Sequence, residues 1–281
     1  MQSVRAAVVQ AGTAGTFADT LLKMKRYCAE AASAGVQLVV FPEAFVGGYP
    51  KGETFGAMVG SRSDEGRERF RHYFESAIEN TDPIAELAIR FELYLVVGII
   101  ERWGGTLYCS AFFFGPEGYL GKHRKLMPTA MERLIWGQGD GSTMPAIQTP
   151  FGIMGAAICW ENYMPLFRAA MYSKNVALWC APTVDDRETW QATVRHIAIE
   201  GRCFVLSACQ YVEAEDGKSI KGGSVIISPF GKILAGPLLG SEGMLTAELD
   251  LNDIPRGKFD LDTVGHYARP DIFELRINVL K

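Results

Sequence analysis

Short apolar runs alternate along this chain with longer stretches whose apolar positions recur at helical spacing. Residues 4–10 (VRAAVVQ) read as a first strand, and 37–41 (QLVVF) and 94–100 (YLVVGII) as buried strands. Residues 19–34 carry a helical pattern, with Asp19 placed to cap it and Gly35 to end it. Further helices are predicted over 65–79, 83–91, 165–174 and 186–201, with Pro165 in a first turn. Strands over 108–114 and 119–122 flank the turn sequence GPEG, and 152–159 (GIMGAAIC) reads as a strand that ends on Cys159. Strands at 176–181, 204–210, 222–228, 233–236 and 243–249 follow, with PFGK as a second turn. The tail from 250 to 281 is less regular. Strand–helix units mixed with hairpins predict an α/β chain of mixed sheets covered by helices. With no repeat, low-complexity segment or long linker, residues 1–281 read as one domain.

Composition narrows the function. The 28 basic and 32 acidic residues give a formal charge of −4, and no basic block stands out. That argues against nucleic acid as a partner, because phosphate binding needs clustered Lys and Arg. No apolar run reaches the roughly 20 residues of a membrane span, and the first residues lack a signal peptide's layout. A cytoplasmic, reducing setting is therefore expected. Of the six cysteines, Cys28, Cys109, Cys180, Cys203 and Cys209 read as buried thiols, with no disulfides. With four histidines and no Cys/His ligand spacing, neither a metal nor a cofactor is expected.

Three chemically capable residues stand where buried strands run out: Glu43 after QLVVF, Lys125 after YLGKHR, and Cys159 after GIMGAAI. Ligands gather beyond the carboxyl ends of strands in α/β sheets, so these residues can converge from distant parts of the chain. Together they make chemical sense. A thiol needs a base or a cation to act as a nucleophile near neutral pH, and an ammonium can steady the anion formed on attack. A backbone N–H just after Cys159 adds a second donor. Taken singly, the same residues read as a turn glutamate, a surface lysine and a core cysteine. Glu132, on a predicted helix, pairs equally well with Arg133 or Arg124.

The surrounding blocks are more specific. VFPEAFVGGYPKG (40–52), KHRKLMPTAMERLIWGQGDGST (122–143) and GAAICWENYMPLFR (155–168) resemble the motifs of the nitrilase superfamily, in its nitrilase branch. The likeness extends through GGSVIISPFGKILAGP (222–237) to RGKFDLDTVGHYARPDIFEL (256–275), nearly the whole chain. It implies a four-layer αββα sandwich of two mixed sheets, a Glu43–Lys125–Cys159 triad without metal, and for Glu132 a role in orienting Lys125 and the substrate. The implied reaction converts an organic nitrile and water to a carboxylic acid and ammonia through thioimidate and thioester intermediates on Cys159.

Tyr49, Trp160, Asn162 and Tyr163, near these residues in sequence, are candidates to line an apolar substrate pocket. They read equally as packing. His123 receives no chemical role, and His196 and His266 read as structural. The resemblance implies a homo-oligomer, at least a dimer through helices 165–174 and 187–201, whose Leu166, Phe167, Met171, Trp190, Val194 and Ile197 exceed the apolar needs of one sheet face. It also implies larger spiral assemblies. A short 212–221 connection and the lack of a long tail after HYARPD argue against long filaments. Rival readings are an amidase or carbamoylase of the same superfamily, a cyanide-hydrolysing enzyme, and a catalytically silent binding protein.

Overall fold

The computed structural model describes residues 3–215 and 217–279. The chain opens with β1 (Ser3–Gln10), α1 (Phe17–Ser33), β2 (Leu38–Val40), α2 (Asp64–Ser76) and α3 (Asp82–Phe91). It continues with β3 (Tyr94–Trp103), β4 (Thr106–Gly115), β5 (Gly118–Arg124), β6 (Ile147–Thr149) and β7 (Gly152–Ala156). Then come α4 (Pro165–Tyr172), β8 (Val176–Thr183), α5 (Glu188–Gly201), β9 (Phe204–Cys209) and β10 (Tyr211–Val212). The last elements are β11 (Ile220–Ile227), β12 (Ile233–Leu239), β13 (Gly243–Asp250) and α6 (Asp253–Asp260). The strands form two mixed sheets, ordered β13-β1-β2-β3-β4-β5 and β10-β11-β9-β8-β7-β6, with β12 paired to β11.

Side-chain alternation explains the layering. On β1, Ala6 and Val8 face one apolar cluster while Ala7 and Val9 face another. On β8, Leu178 and Cys180 join the first of these clusters, and Trp179 and Ala181 enter a third with residues of α4 and α5. Successive side chains of a strand point to opposite faces, so a strand apolar at every position is covered on both sides. The cluster shared by both sheets lies between them. The second lies under α1 and α3, and the third under α4 and α5. The result is the four-layer αββα sandwich.

Several boundaries differ from the sequence expectation. α1 is capped by Thr16, whose hydroxyl accepts the Asp19 N–H at 3.1 Å and donates to the Asp19 carboxylate. The Asp19 side chain completes this cap and does not start it. The irregular tail contains α6. The short 212–221 connection closes as a hairpin, with Tyr211 opposite Lys221 and Val212 opposite Ile220. Five of the six apolar side chains assigned to a dimer face, Phe167, Met171, Trp190, Val194 and Ile197, are buried in the chain's own third cluster. Only Leu166 of that set is exposed. Both faces of the second sheet are covered, so α4 and α5 need more apolar residues than one exposed sheet would suggest.

Gly98 on β3 positions one of the expected site residues. A Cβ there would fall 2.1 Å from the Pro42 carbonyl oxygen and 2.6 Å from the Glu43 Cα. The bare backbone lets the turn after β2 lie flat on the sheet. Gly98→Ala is therefore expected to cost about 1–3 kcal/mol through overpacking and to lower turnover by displacing Glu43. Urea denaturation and activity measured together test this, and parent-like values for both would contradict it.

Candidate active site

Four of the expected residues meet at one end of the sandwich. Glu43 follows β2, with Ala44 beside it in a left-handed conformation (φ 50°), and Gln210 Nε2 donates to the Glu43 carbonyl oxygen at 2.7 Å. Lys125 directly follows β5, and its N–H donates to the Cys109 carbonyl at 2.8 Å. Cys159 does not end a strand, contrary to the sequence reading. β7 stops at Ala156, and Cys159 opens a short 3-10 turn, Cys159–Tyr163, with a left-handed φ of 49°. Thr183, the last residue of β8, donates its hydroxyl to Cys159 Sγ at 3.2 Å. Glu132 lies in a second 3-10 turn, Ala130–Leu134, and not on an α-helix.

Every one of these four side chains is buried. Lys125 Nζ donates to Glu43 Oε1 at 2.7 Å and to Glu132 Oε2 at 2.9 Å. Burial opposes the lysine's charge, but Glu43 and its neighbours outweigh it and hold the ammonium well above its ordinary value. Burial pushes the Glu43 carboxyl up, and the Glu132 charge adds to this against the pull of Lys125. Glu43 Oε1 also receives the Cys109 thiol at 3.6 Å, while Oε2 has no hydrogen-bond partner among the described residues. The Cys159 thiol lies near this carboxylate, and the two groups influence each other's ionisation. Burial and the nearby Glu43 hold Cys159 well above the usual thiol value, so the resting group is S–H.

Glu132 is saturated. Oε2 accepts Lys125 Nζ, the Thr129 N–H at 2.7 Å and the Thr129 hydroxyl at 3.0 Å, and Oε1 accepts the Tyr49 hydroxyl at 2.8 Å. With every one of these donors engaged, its side chain is fixed in orientation. Trp136 lies beneath the ammonium, with Nζ 5.5 Å from the ring centroid.

A cleft of about 440 Å³ opens over Cys159. Tyr49, Trp160, Ile135, Met131 and Glu132 are among its walls. Asn162 and Tyr163, also expected in the pocket, are not. Asn162 is fully buried, donates to the Ala157 and Cys159 carbonyls at 2.9 and 2.7 Å, and accepts Trp179 Nε1 at 2.8 Å. Its amide is consumed in shaping the turn. Tyr163 packs between Trp160 and Trp190.

Sequence reasoning missed Asp185 and Arg187, which form the cleft's far wall. Asp185 Oδ2 accepts Trp160 Nε1 at 3.0 Å, and Arg187 Nε donates to Oδ1 at 2.7 Å. The guanidinium stacks 4.8 Å from the Trp160 ring centroid. Burial raises the Asp185 carboxyl, but Arg187 outweighs it and brings the group below its ordinary value. Only position just past β8, itself a strand end, pointed to these residues. His123, left without a role, is fully buried and paired with Glu161 at 2.9 Å. Among the described residues no cluster of three or more His, Cys, Asp or Glu side chains can hold a metal ion. No described helix is long and apolar enough to cross a membrane.

A buried thiol thus lies near a carboxylate and a clamped ammonium at one end of a double sheet. The sequence profile of the carbon–nitrogen hydrolase family matches residues 5–258, and the chain belongs to that family, in its nitrilase branch. The chain is 53 % identical to an aliphatic nitrilase of Sinorhizobium fredii, over 99 % of this chain and 96 % of the relative. An arylacetonitrilase of Trametes versicolor is 52 % identical, over 98 % of this chain and 97 % of its own. Saccharomyces cerevisiae Nit3, a solved member of the nitrilase superfamily, shares the fold at a TM-score of 0.77 and 21 % identity, covering 95 % of this chain and 97 % of its own. A carbon–nitrogen hydrolase from Helicobacter pylori does so at 0.77 and 20 %, covering 97 % of each chain.

The raised Glu43 carboxyl sets an expectation for pH. A base must be ionised to accept a proton, so activity is present above its folded pKa and lost as pH falls through it. The acid limb of kcat/KM is expected above the ordinary glutamate value of about 4.3. A limb at or below that value would mean that Glu43 is not the group being titrated.

Proposed function

We propose that the protein hydrolyses small organic nitriles to carboxylic acids and ammonia, with Glu43, Lys125, Glu132 and Cys159 as the chemical centre. The observation that carries this reading is the Lys125 ammonium bridging Glu43 Oε1 and Glu132 Oε2 while the Cys159 thiol lies beside the Glu43 carboxylate, whose Oε2 is free. Glu43 takes the thiol proton as Sγ bonds to the nitrile carbon. The nitrogen, gaining charge and then that proton, is held by Lys125 and by the Trp160 N–H. Trp160 stands in the first turn of the 3-10 segment, where N–H groups lack intrahelical partners. Water, deprotonated by Glu43, adds to the resulting thioimidate. The proton returned by Glu43 and the adduct's own hydroxyl proton both go to the nitrogen, which leaves as ammonia as the carbonyl forms, and a thioester remains. A second water releases the acid and restores the thiol. Loss of the thiol from the tetrahedral adduct in place of ammonia gives the amide.

The relatives named for aliphatic and for arylacetonitrile substrates resemble this chain about equally. Tyr49 and Trp160 in the cleft wall favour a substrate with a flat or apolar tail. Ammonia release from benzonitrile, phenylacetonitrile, an aliphatic dinitrile, cyanide and the matching amides tests the class. Nitriles are expected to exceed amides, and a preference for amides would support the amidase reading. Cys159→Ala should lower turnover by about 10³-fold or more while circular dichroism stays unchanged. Near-parent turnover in that variant would remove Cys159 from the chemistry.

Self-association through α4 and α5 belongs to the same proposal. Its support is now the exposed outer side of these helices, Leu166 and Ala169 on one and Ala192 and Ile199 on the other. A light-scattering mass of two chains or more is expected, and the mass of one chain at micromolar concentration would reject it.

A further inference from the structure

The most heavily engaged carboxylate near the site that the chemistry above does not use is Glu161. It is fully buried. Its Oε2 accepts the Ile158 N–H at 2.8 Å and His123 Nε2 at 2.9 Å, and its Oε1 accepts the Leu126 N–H at 2.6 Å. Ile158 immediately precedes Cys159, and Leu126 immediately follows Lys125. One carboxylate therefore grips the backbone on the nucleophile's turn and on the strand end that delivers the ammonium.

The His123 ring supplies the balancing charge. Its Nδ1 meets the Thr143 carbonyl oxygen and its Nε2 meets Glu161 Oε2. Both partners are acceptors, so both ring nitrogens carry protons and the ring is an imidazolium. Phe167 packs against it, with ring centroids 5.4 Å apart. Burial works against this charge and the Lys174 ammonium adds to that opposition, but Glu161 and the Thr143 carbonyl outweigh them.

We infer that Glu161 is a positioning residue for the reaction: with the His123 imidazolium as counter-ion, it locks the turn bearing Cys159 to the segment bearing Lys125. The inference rests on the reading of Cys159 as nucleophile. Glu161→Gln keeps the shape but sets an amide N–H₂ against one of three donors, so the two segments part on one side.

The test compares Glu161→Gln, His123→Asn and Cys159→Ala with the parent, using kcat per folded chain, KM and the rate of iodoacetamide alkylation at Cys159. For Glu161→Gln a loss of kcat of about 10–100-fold is expected, the scale of a misplaced reacting group. KM should stay within about threefold, because substrate binding in the cleft is untouched. Alkylation should slow alongside kcat. His123→Asn leaves Glu161 its two backbone donors and should give a smaller loss of the same kind. A residue that matters only for folding would lower the melting temperature and leave kcat per folded chain and alkylation unchanged, and that result overturns the inference. If Glu161→Gln fails to fold, His123→Asn decides: parent-like kcat and alkylation reject the inference, and a fall in both supports it. Should Cys159→Ala retain turnover, the nucleophile assignment fails. An inactive Cys159→Ala beside a parent-like Glu161→Gln isolates the failure to the present inference.

Discussion

An ammonium with no exposed surface dictates the architecture of this site. Lys125 cannot be charged in the interior unless anions surround it, because desolvation of an unpaired ion costs several kcal/mol. Two carboxylates answer that demand, one from the turn after β2 and one from the 3-10 turn beyond β5. Their combined charge exceeds that of the lysine. The excess settles on Glu43, whose surroundings are dry and which has one oxygen unengaged, whereas Glu132 is held by Thr129 and Tyr49. The same imbalance pushes the Glu43 carboxyl up and, with burial, holds the nearby Cys159 thiol up as well. Two glutamates of one residue type thus acquire different tasks from their hydrogen-bond inventories alone.

Much of this was legible in the sequence, for identifiable reasons. Runs such as LVVF (38–41) and LVVGII (95–100) carry no polar side chain because both faces are covered, and that signal survives a shift of boundaries. Glu43 stands just past such a run, whereas Lys125 follows the polar sequence GKHR and stands out only through the motif block around it. Proximity in sequence does not give direction in space. Asn162 is three residues from Cys159, but a 3-10 turn sends it back into the sheet, where Trp179 and two carbonyls engage it. The apolar surplus on α4 and α5 was assigned to a partner surface when an outer sheet face consumed most of it. Asp185 and Arg187 had no local pattern to flag them, since their role comes from the position of Trp160, 25 residues earlier.

Two local devices in the site repeat. Both 3-10 turns begin with a residue in the left-handed region, Ala130 (φ 46°) and Cys159 (φ 49°), and both carry a glutamate at the third position that reaches back to the N–H before the turn. A non-glycine residue in that region is strained by about 1–3 kcal/mol. A hydrogen bond to a charged acceptor contributes roughly 1.5–3 kcal/mol, and each glutamate accepts at least three. The capping glutamates therefore have enough energy in hand to hold both strained turns. The first turn has a visible signature, Thr129 with Glu132 three residues on, a capping box by sequence. The second has Ile158 at the cap, so no pattern announces Glu161. Each glutamate also reaches the Lys125 segment, one at the ammonium itself and the other at the next backbone N–H. The hydrogen bonds that Glu161 makes at the Cys159 turn also tie that turn to the backbone next to Lys125. The conformation at Cys159 and the placement of the ammonium are consequently coupled. Tyr49 and Met131 belong both to the cleft wall and to this frame, the first through its bond to Glu132 and the second within the Glu132 turn, so a change of the wall there also reaches the charges.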